Sequence, residues 1–411
     1  MVRAVRLAID ASNIRAGGGV THLVEVLRAA DPSAHGFERV SVWACAATLA
    51  QLADRPWLDK RTDPVLEENF LRRALWQRTR LDKLTAKEGA DLMFVPGGSI
   101  FTRMRPVVTM SRNMLPFEWR ELRRFGFSLM TLKLLLLRWT QAASFKKADG
   151  TIFLTRYAHD AVVGSTGPLK GRTSIIPHGI NSRFRRAPRP QRSLEALGPG
   201  GRIRIIYVSM VDVYKHQWTV AEAVGRLRRE GLPVELYLYG PARASVLPRL
   251  EAALELVDPK GEFAYYKGPV DHKEVDQSYA SADIGIFASS CENMPNILLE
   301  SMAAGLPIAC SDRGPMPEVL GGGGVYFDPE DASSIADAVR VLINDPELRA
   351  GKARAAFEAA QAFTWERCAA DTFAFLAEVA RGAMRPSAIA ADRAESEPRL
   401  LAVEERYGIL P

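Results

Sequence analysis

Short apolar runs bounded by turn residues alternate with helix-length segments along most of this chain. Crossover helices on a parallel sheet satisfy that alternation, whereas a meander of hairpins does not. In the first half the strand-like runs are Val5–Asp10, Val40–Ala44, Asp91–Val95, Val107–Ser111, Thr151–Leu154 and Ser174–Ile176. In the second they are Ile203–Ser209, Val234–Tyr239, Phe263–Lys267, Asp283–Ser289, Pro307–Ser311 and Gly324–Phe327. Between the groups, Phe184–Arg192 and then Gly198–Gly201 are rich in Pro, Gly and Arg, a composition suited to a surface linker. A length of 411 residues exceeds what one hydrophobic core usually serves. The expectation is an α/β protein of two domains, 1–183 and 184–363, with a loose tail over 386–411.

The segment richest in chemistry is Ser289–Pro307, reading SSCENMPNILLESMAAGLP. It follows the apolar run Asp283–Ser289, which reads as a strand buried on both faces. From Asn296 the residues are good helix formers through Ala304, with Pro295 where a first helical turn tolerates it and Gly305 placed to stop the helix. Strand, loop and helix in that order open a crevice where the helix N-terminus offers unpaired amides to a phosphate. Glu292 in the loop and Glu300 about two helical turns on then reach two separated hydroxyl-bearing parts of an elongated ligand. A sugar nucleotide has that layout.

The segment resembles the E-x7-E signature of the retaining glycosyltransferases of family 4. The next blocks, Pro307–Val319 and Gly321–Pro329, are similar to the strands and turns that follow it there. The resemblance implies the GT-B fold: two Rossmann-like domains with parallel sheets facing across a cleft, and a final helix, about 364–381, crossing back onto the first domain. It implies that Glu292 contacts donor-sugar hydroxyls and Glu300 the nucleotide ribose, with Asn293, Met294, Pro295 and Asn296 lining the phosphate end.

Other matches extend the resemblance. Gly17, Gly18 and Gly19 follow the first strand and resemble the family's glycine loop, whose amides face the donor diphosphate. Tyr207–Gln217 is similar to the family's Gly-Arg-Leu…Lys segment, with Lys215 on the lysine that pairs with the diphosphate. Tyr266–Val270 resembles the loop that packs on the base, with main-chain contacts near Val270. Two departures stand out. Met210 replaces the usual Arg and Ser209 the usual Gly, leaving Arg15 or His216 to compensate. No histidine follows the fourth strand, where Ser111, Arg112 and Asn113 stand instead, so Arg112 and Asn113 become candidates for acceptor or donor contacts. His22, behind the glycine loop, is a further candidate, although a lone helical histidine more often packs.

Composition narrows the partners. The formal charge is +6, with arginines concentrated in the first half, which suits an anionic acceptor, a membrane surface or nucleic acid. Four cysteines lie far apart without metal-ligand spacing, and the first residues run directly into a strand, which read together as a reducing, cytoplasmic setting. From Glu118 to Lys147, Leu129, Leu132, Leu136 and Trp139 stand among Arg120, Arg123, Arg124, Lys133, Arg138, Lys146 and Lys147. That mixture suits a helix lying peripherally on an anionic membrane, or a helix packed on the sheet with snorkelling cations. No Asp-x-Asp metal motif is present, so neither a metal nor another cofactor is expected.

The expectation is a metal-independent, retaining glycosyltransferase moving a hexose from a UDP- or GDP-sugar to a hydroxyl of a glycan or lipid-linked glycan. The alternatives are a sugar-nucleotide epimerase on the same fold and a non-catalytic glycan- or nucleic-acid-binding protein.

Overall fold

The computed structural model describes residues 4–271 and 274–384. The proposed tail at 386–411 lies outside the described residues. The chain divides into two compact units. Among the described residues, the first comprises 4–117, 129–179 and 364–384, and the second comprises 118–128 and 180–363.

The first unit is built on seven strands: β1 (Val5–Asp10), β2 (Phe37–Trp43), β3 (Leu58–Arg61), β4 (Leu92–Val95), β5 (Val107–Met110), β6 (Gly150–Phe153) and β7 (Arg172–Ile175). Their order is β3-β2-β1-β4-β5-β6-β7, and every pairing is parallel. The central strands β4, β5 and β6 are buried along their whole length. This is why they read as unbroken apolar runs rather than alternating ones. β3 has no counterpart among the sequence-predicted strands. Its sequence, Leu-Asp-Lys-Arg, is the charged composition of a sheet edge and carries no apolar run.

The second unit has six strands: β8 (Ile203–Val208), β9 (Val234–Tyr239), β10 (Ala264–Gly268), β11 (Ile284–Phe287), β12 (Ile308–Ser311) and β13 (Gly324–Phe327). They run parallel in the order β10-β9-β8-β11-β12-β13. In each sheet the order reverses once, between β1 and β4 and between β8 and β11. Ligands of doubly wound sheets bind outside the carboxyl ends of the strands at such a reversal.

The unit boundaries differ from the sequence reading of 1–183 and 184–363. The chain passes into the second unit after Gly179, and residues 118–128 also belong there. Specific side chains hold that excursion. Glu121, almost wholly buried, accepts a hydrogen bond from Ser290 Oγ at 2.8 Å. Arg124 bridges Glu121 at 2.8 Å and Glu330 at 2.8 Å. No run of composition marks this, because the partners lie far away in sequence.

The helix Trp365–Met384 belongs to the first unit. Phe373 packs edge-on to Phe37 with ring centroids 5.7 Å apart. A Cβ at Gly150 would meet Val379 and Phe375 of the same helix at 2.9 and 3.1 Å, so glycine admits the close approach.

Candidate functional site

In the second unit the loops after β8 and β11 meet at the sheet's reversal. The loops are tied first through the backbone, with the Ser290 amide donating to the Tyr214 carbonyl at 2.9 Å. The buried Tyr207 hydroxyl on β8 donates to the Lys215 carbonyl at 2.9 Å. These bonds fix where Lys215 starts. Its ammonium forms an ion pair with Glu292 Oε1 and lies over the rings of Tyr214 and Phe287, 5.0 and 5.6 Å from their centroids. The Lys215 side chain is 7% exposed and that of Glu292 16%.

Asp212 braces the same loop. Arg243, in the loop after β9, grips it with two bonds of 3.0 and 2.7 Å. The Asp212 carboxylate is buried, so the fork supplies both a counter-charge and directed hydrogen bonds. Met210, the residue in place of the family's arginine, is 41% exposed, and its carbonyl accepts from Gln217 Nε2 at 3.0 Å.

His216 caps the following helix, Gln217–Arg229, with a left-handed φ of 52°. Ser290 Oγ donates to Glu121, so His216 Nε2, 2.9 Å away, donates to Ser290 Oγ. Burial and the nearby positive charge of Arg124 lower its pKa to about 4. It is therefore neutral at physiological pH. An uncharged His216 adds no positive charge beside Met210.

The helix after β11 is Asn296–Ala303, with Pro295 as its N-cap rather than inside the first turn. Gly305 ends it in the left-handed region at φ 68°. A Cβ there would lie 2.5 Å from the Arg186 carbonyl oxygen. Asn293, Met294 and Pro295 are buried. Glu300, two turns along, is half-buried, and the Tyr279 hydroxyl donates to its Oε2 at 3.3 Å. Burial raises its carboxyl to about 7, against the opposing pull of Tyr279 and Arg183. Neither partner was identified from sequence, since Tyr279 lies in an unremarkable helix and Arg183 in a short turn just before the linker.

Val270 follows β10, the edge strand. Three strand spacings separate β10 from β11, about 14 Å. The structure thus brings Lys215 and Glu292 together, sets Glu300 on the adjoining helix, and puts Val270 at the far end of the same sheet rim.

In the first unit, Gly17 adopts φ 68° and caps the helix Gly18–Ala29 without any side-chain hydrogen bond. The first-turn amides of Gly18 and Gly19 have no acceptor within a helix. A Cβ on Gly19 would come 3.0 Å from Nη1 of Arg112, so Arg112 lies directly against the glycine turn. Burial lowers the Arg112 guanidinium to about 10. Asn113 Oδ1 accepts from the Leu115 amide at 3.1 Å, closing its own turn. His22 is buried, its ring centroid 4.7 Å from that of His178 and 6.0 Å from Trp365. Burial and the neighbouring His178 hold it well below its usual pKa. Its ring thus packs between His178 and Trp365 in the interior of the first unit.

A polar network absent from the sequence reading surrounds the β1–β4 reversal. Asp10 accepts from Ser12 Oγ at 2.6 Å and from Gln77 Nε2 at 2.5 Å. Gln77 in turn accepts from Asn13, and Asn13 accepts from Arg73 Nε, each at 3.3 Å. Gln77 opens a π-helical turn, Gln77–Leu81, a local irregularity often found at functional sites. Burial raises the Asp10 carboxyl. Arg15 donates to the Glu68 carbonyl at 3.2 Å.

Two doubly wound parallel units in one chain define the GT-B class of fold. Solved structures agree. Sucrose-phosphate synthase from Thermosynechococcus elongatus superposes with a TM-score of 0.70 at 17% identity, covering 92% of this chain and all of that one. Anabaena HepE in complex with UDP superposes with a TM-score of 0.65 at 17% identity, covering 90% of this chain and all of HepE. By sequence, residues 202–345 match the family described as glycosyl transferases group 1. The matched stretch includes Lys215, Glu292 and Glu300. D-inositol 3-phosphate glycosyltransferase of Paenarthrobacter aurescens (strain TC1) is 25% identical over 236 residues, 55% of this chain and 57% of that protein. The chain spans about half the length of the curated relatives it matches.

Proposed function

We propose that this protein is a cytoplasmic, retaining and metal-independent hexosyltransferase of family 4. It takes a hexose from a UDP- or GDP-sugar to a hydroxyl of a glycan or lipid-linked glycan in surface polysaccharide synthesis. The observation that carries the reading is the Lys215–Glu292 pair at the β8–β11 reversal, with Glu300 on the next helix. The family match over the same residues supports it.

The roles follow from charge and reach. The Lys215 ammonium neutralises the diphosphate as the bond to the sugar breaks, and the amides at the start of Asn296–Ala303 add partial positive charge. Glu292 accepts hydrogen bonds from sugar hydroxyls, and Glu300 accepts from the ribose. The amides of Gly17, Gly18 and Gly19 are assigned to phosphate, with Arg112 beside them in the same unit. In a retaining transfer the acceptor oxygen bonds to the anomeric carbon on the face the diphosphate leaves. The departing diphosphate oxygen takes the acceptor's proton, so no separate base is needed. The four cysteines are free and buried, in keeping with a cytoplasmic setting.

The test is thermal stabilisation by UDP, GDP, ADP and CMP, in wild type and Glu300→Ala. One nucleotide raising the midpoint in wild type and not in the variant establishes the donor site and its base. No shift with any of them removes the reading.

A further inference from the structure

The helix Leu129–Lys147 turns the wrong face outward for a core helix. Its inward side is Leu134, Gln141, Ser144 and Phe145, all buried. Its outward side carries Leu129, Leu132, Leu136 and Trp139, which are 87, 65, 58 and 71% exposed. Those four positions fall within about 80° of arc at helical spacing, so they form one continuous stripe. Lys133 stands at one border, and exposed Lys146 and Lys147 close its end. The helix holds four cations and no carboxylate. Arg138 is not part of the stripe. It turns inward, donating to the Pro116 carbonyl at 2.8 Å, with its guanidinium 5.6 Å from the Phe117 ring centroid.

A second apolar edge adjoins this one. Leu71 and Leu75 are exposed on the helix Phe70–Trp76, and exposed Arg78 and Arg80 follow them. Phe70 packs on Phe101, and the neighbouring Thr102 carbonyl accepts from Lys147 Nζ at 3.3 Å. The two edges are therefore joined through residues 101 and 102. Glu68 neutralises Arg72 on the second edge, while Arg78 and Arg80 have no carboxylate within ion-pair distance among the described residues.

We propose that this face of the first unit docks on an anionic phospholipid surface, with the Leu129–Lys147 helix lying in the interface plane. Leucines and an interfacial tryptophan enter the acyl boundary, and the lysines meet the headgroups. No helix among the described residues is long and apolar enough to cross a membrane, so this is contact along a surface. Charge selects lipid over a second copy of the chain, because a self-interface would place these cations opposite themselves. The proposal is independent of the donor site.

The experiment is co-sedimentation of the full chain with phosphatidylcholine vesicles, with and without about a third phosphatidylglycerol. Wild type should pellet with the anionic vesicles and be released as salt rises. Leu132→Glu/Leu136→Glu should weaken binding at least about tenfold. Lys133→Gln/Lys146→Gln/Lys147→Gln should lose about fivefold per lysine and the preference for anionic lipid. Both variants should stay within a few degrees of the wild-type thermal midpoint, since every changed side chain is exposed and the one hydrogen bond lost, from Lys147 to the Thr102 carbonyl, is a surface contact. Wild type remaining in the supernatant at low salt overturns the proposal, as does equal binding by the glutamate variant. Concentration-dependent dimers that the glutamate variant abolishes, without vesicle binding by wild type, would reassign the face to self-association.

Discussion

Lys215 and Glu292 form an ion pair that joins the loop after β8 to the loop after β11, where the order of the second sheet reverses. Both side chains are largely shielded from water. Their attraction is therefore stronger than that of a surface pair, and each is costly to leave alone.

Removing both partners should accordingly cost less than the two single removals added together. Lys215→Ala or Glu292→Ala is expected to destabilise by about 3 kcal/mol, and the double variant by less than the sum, with a coupling of about 1–3 kcal/mol. Denaturant unfolding measures the cycle. Transfer activity should fall at least about a hundredfold in each single variant and should not return in the double. Recovery of activity in the double variant would separate the pair from the chemistry.

Glu300 should make stability depend on pH. Its native pKa of about 7 stands above the ordinary 4.5. Between these values the native state keeps a proton that the unfolded chain has shed. The group's contribution is thus fully present below pH 4.5 and is lost as pH rises through 7. Glu300→Gln should flatten that slope, worth on the order of 2–3 kcal/mol. Because the charged form is the one assigned to the ribose, nucleotide binding should tighten over the same interval in wild type alone. Calorimetry at several pH values checks both.

Asp212 and Arg243 should behave as one unit. Asp212→Asn keeps the volume but leaves the fork unpaired, and a loss of about 2–3 kcal/mol is expected. Arg243→Lys should lose nearly as much, because an ammonium cannot make both bonds. Nucleotide-induced stabilisation should shrink in both, since the braced loop carries Lys215.

Two glycines with similar φ should respond differently to alanine. Gly17 has open space around its missing Cβ, so Gly17→Ala meets only the backbone strain of φ 68° with ψ −160°, a region essentially reserved for glycine, about 1–3 kcal/mol. Gly305→Ala adds a collision with the Arg186 carbonyl oxygen and Pro188, and at least about 3 kcal/mol is expected. Thermal unfolding of the pair distinguishes strain from clash.

Much of the architecture could be read from the chain because parallel strands buried on both faces are continuous apolar runs. β3 escaped because an edge strand is built from charges, as Asp59, Lys60 and Arg61 illustrate. Lys215, Glu292 and Glu300 were accessible because strand, loop and helix follow one another locally. Tyr279 beneath Glu300, Arg243 on Asp212 and Gln77 on Asp10 were not, since each comes from another element and no local pattern marks it. The helix Leu129–Lys147 shows a different difficulty. It carries leucines on its exposed side as well as Leu134 and Phe145 on its buried side beside Gln141 and Ser144, so periodicity could not tell which leucines faced out.

The interleaving of the units bears on how the chain is made. A ribosome delivers Trp365–Met384 last among the described residues, yet Phe373 of that helix packs on Phe37 of β2, and the backbone of Thr364 and Trp365 lies so close to Gly179 that no Cβ would fit there. The first unit therefore waits, incomplete, through synthesis of almost all of the second. The second unit must meanwhile recruit residues 118–128 from a strand of chain already emerged. Cutting the gene at the linker would give two fragments, neither holding all the parts of the unit it was meant to encode.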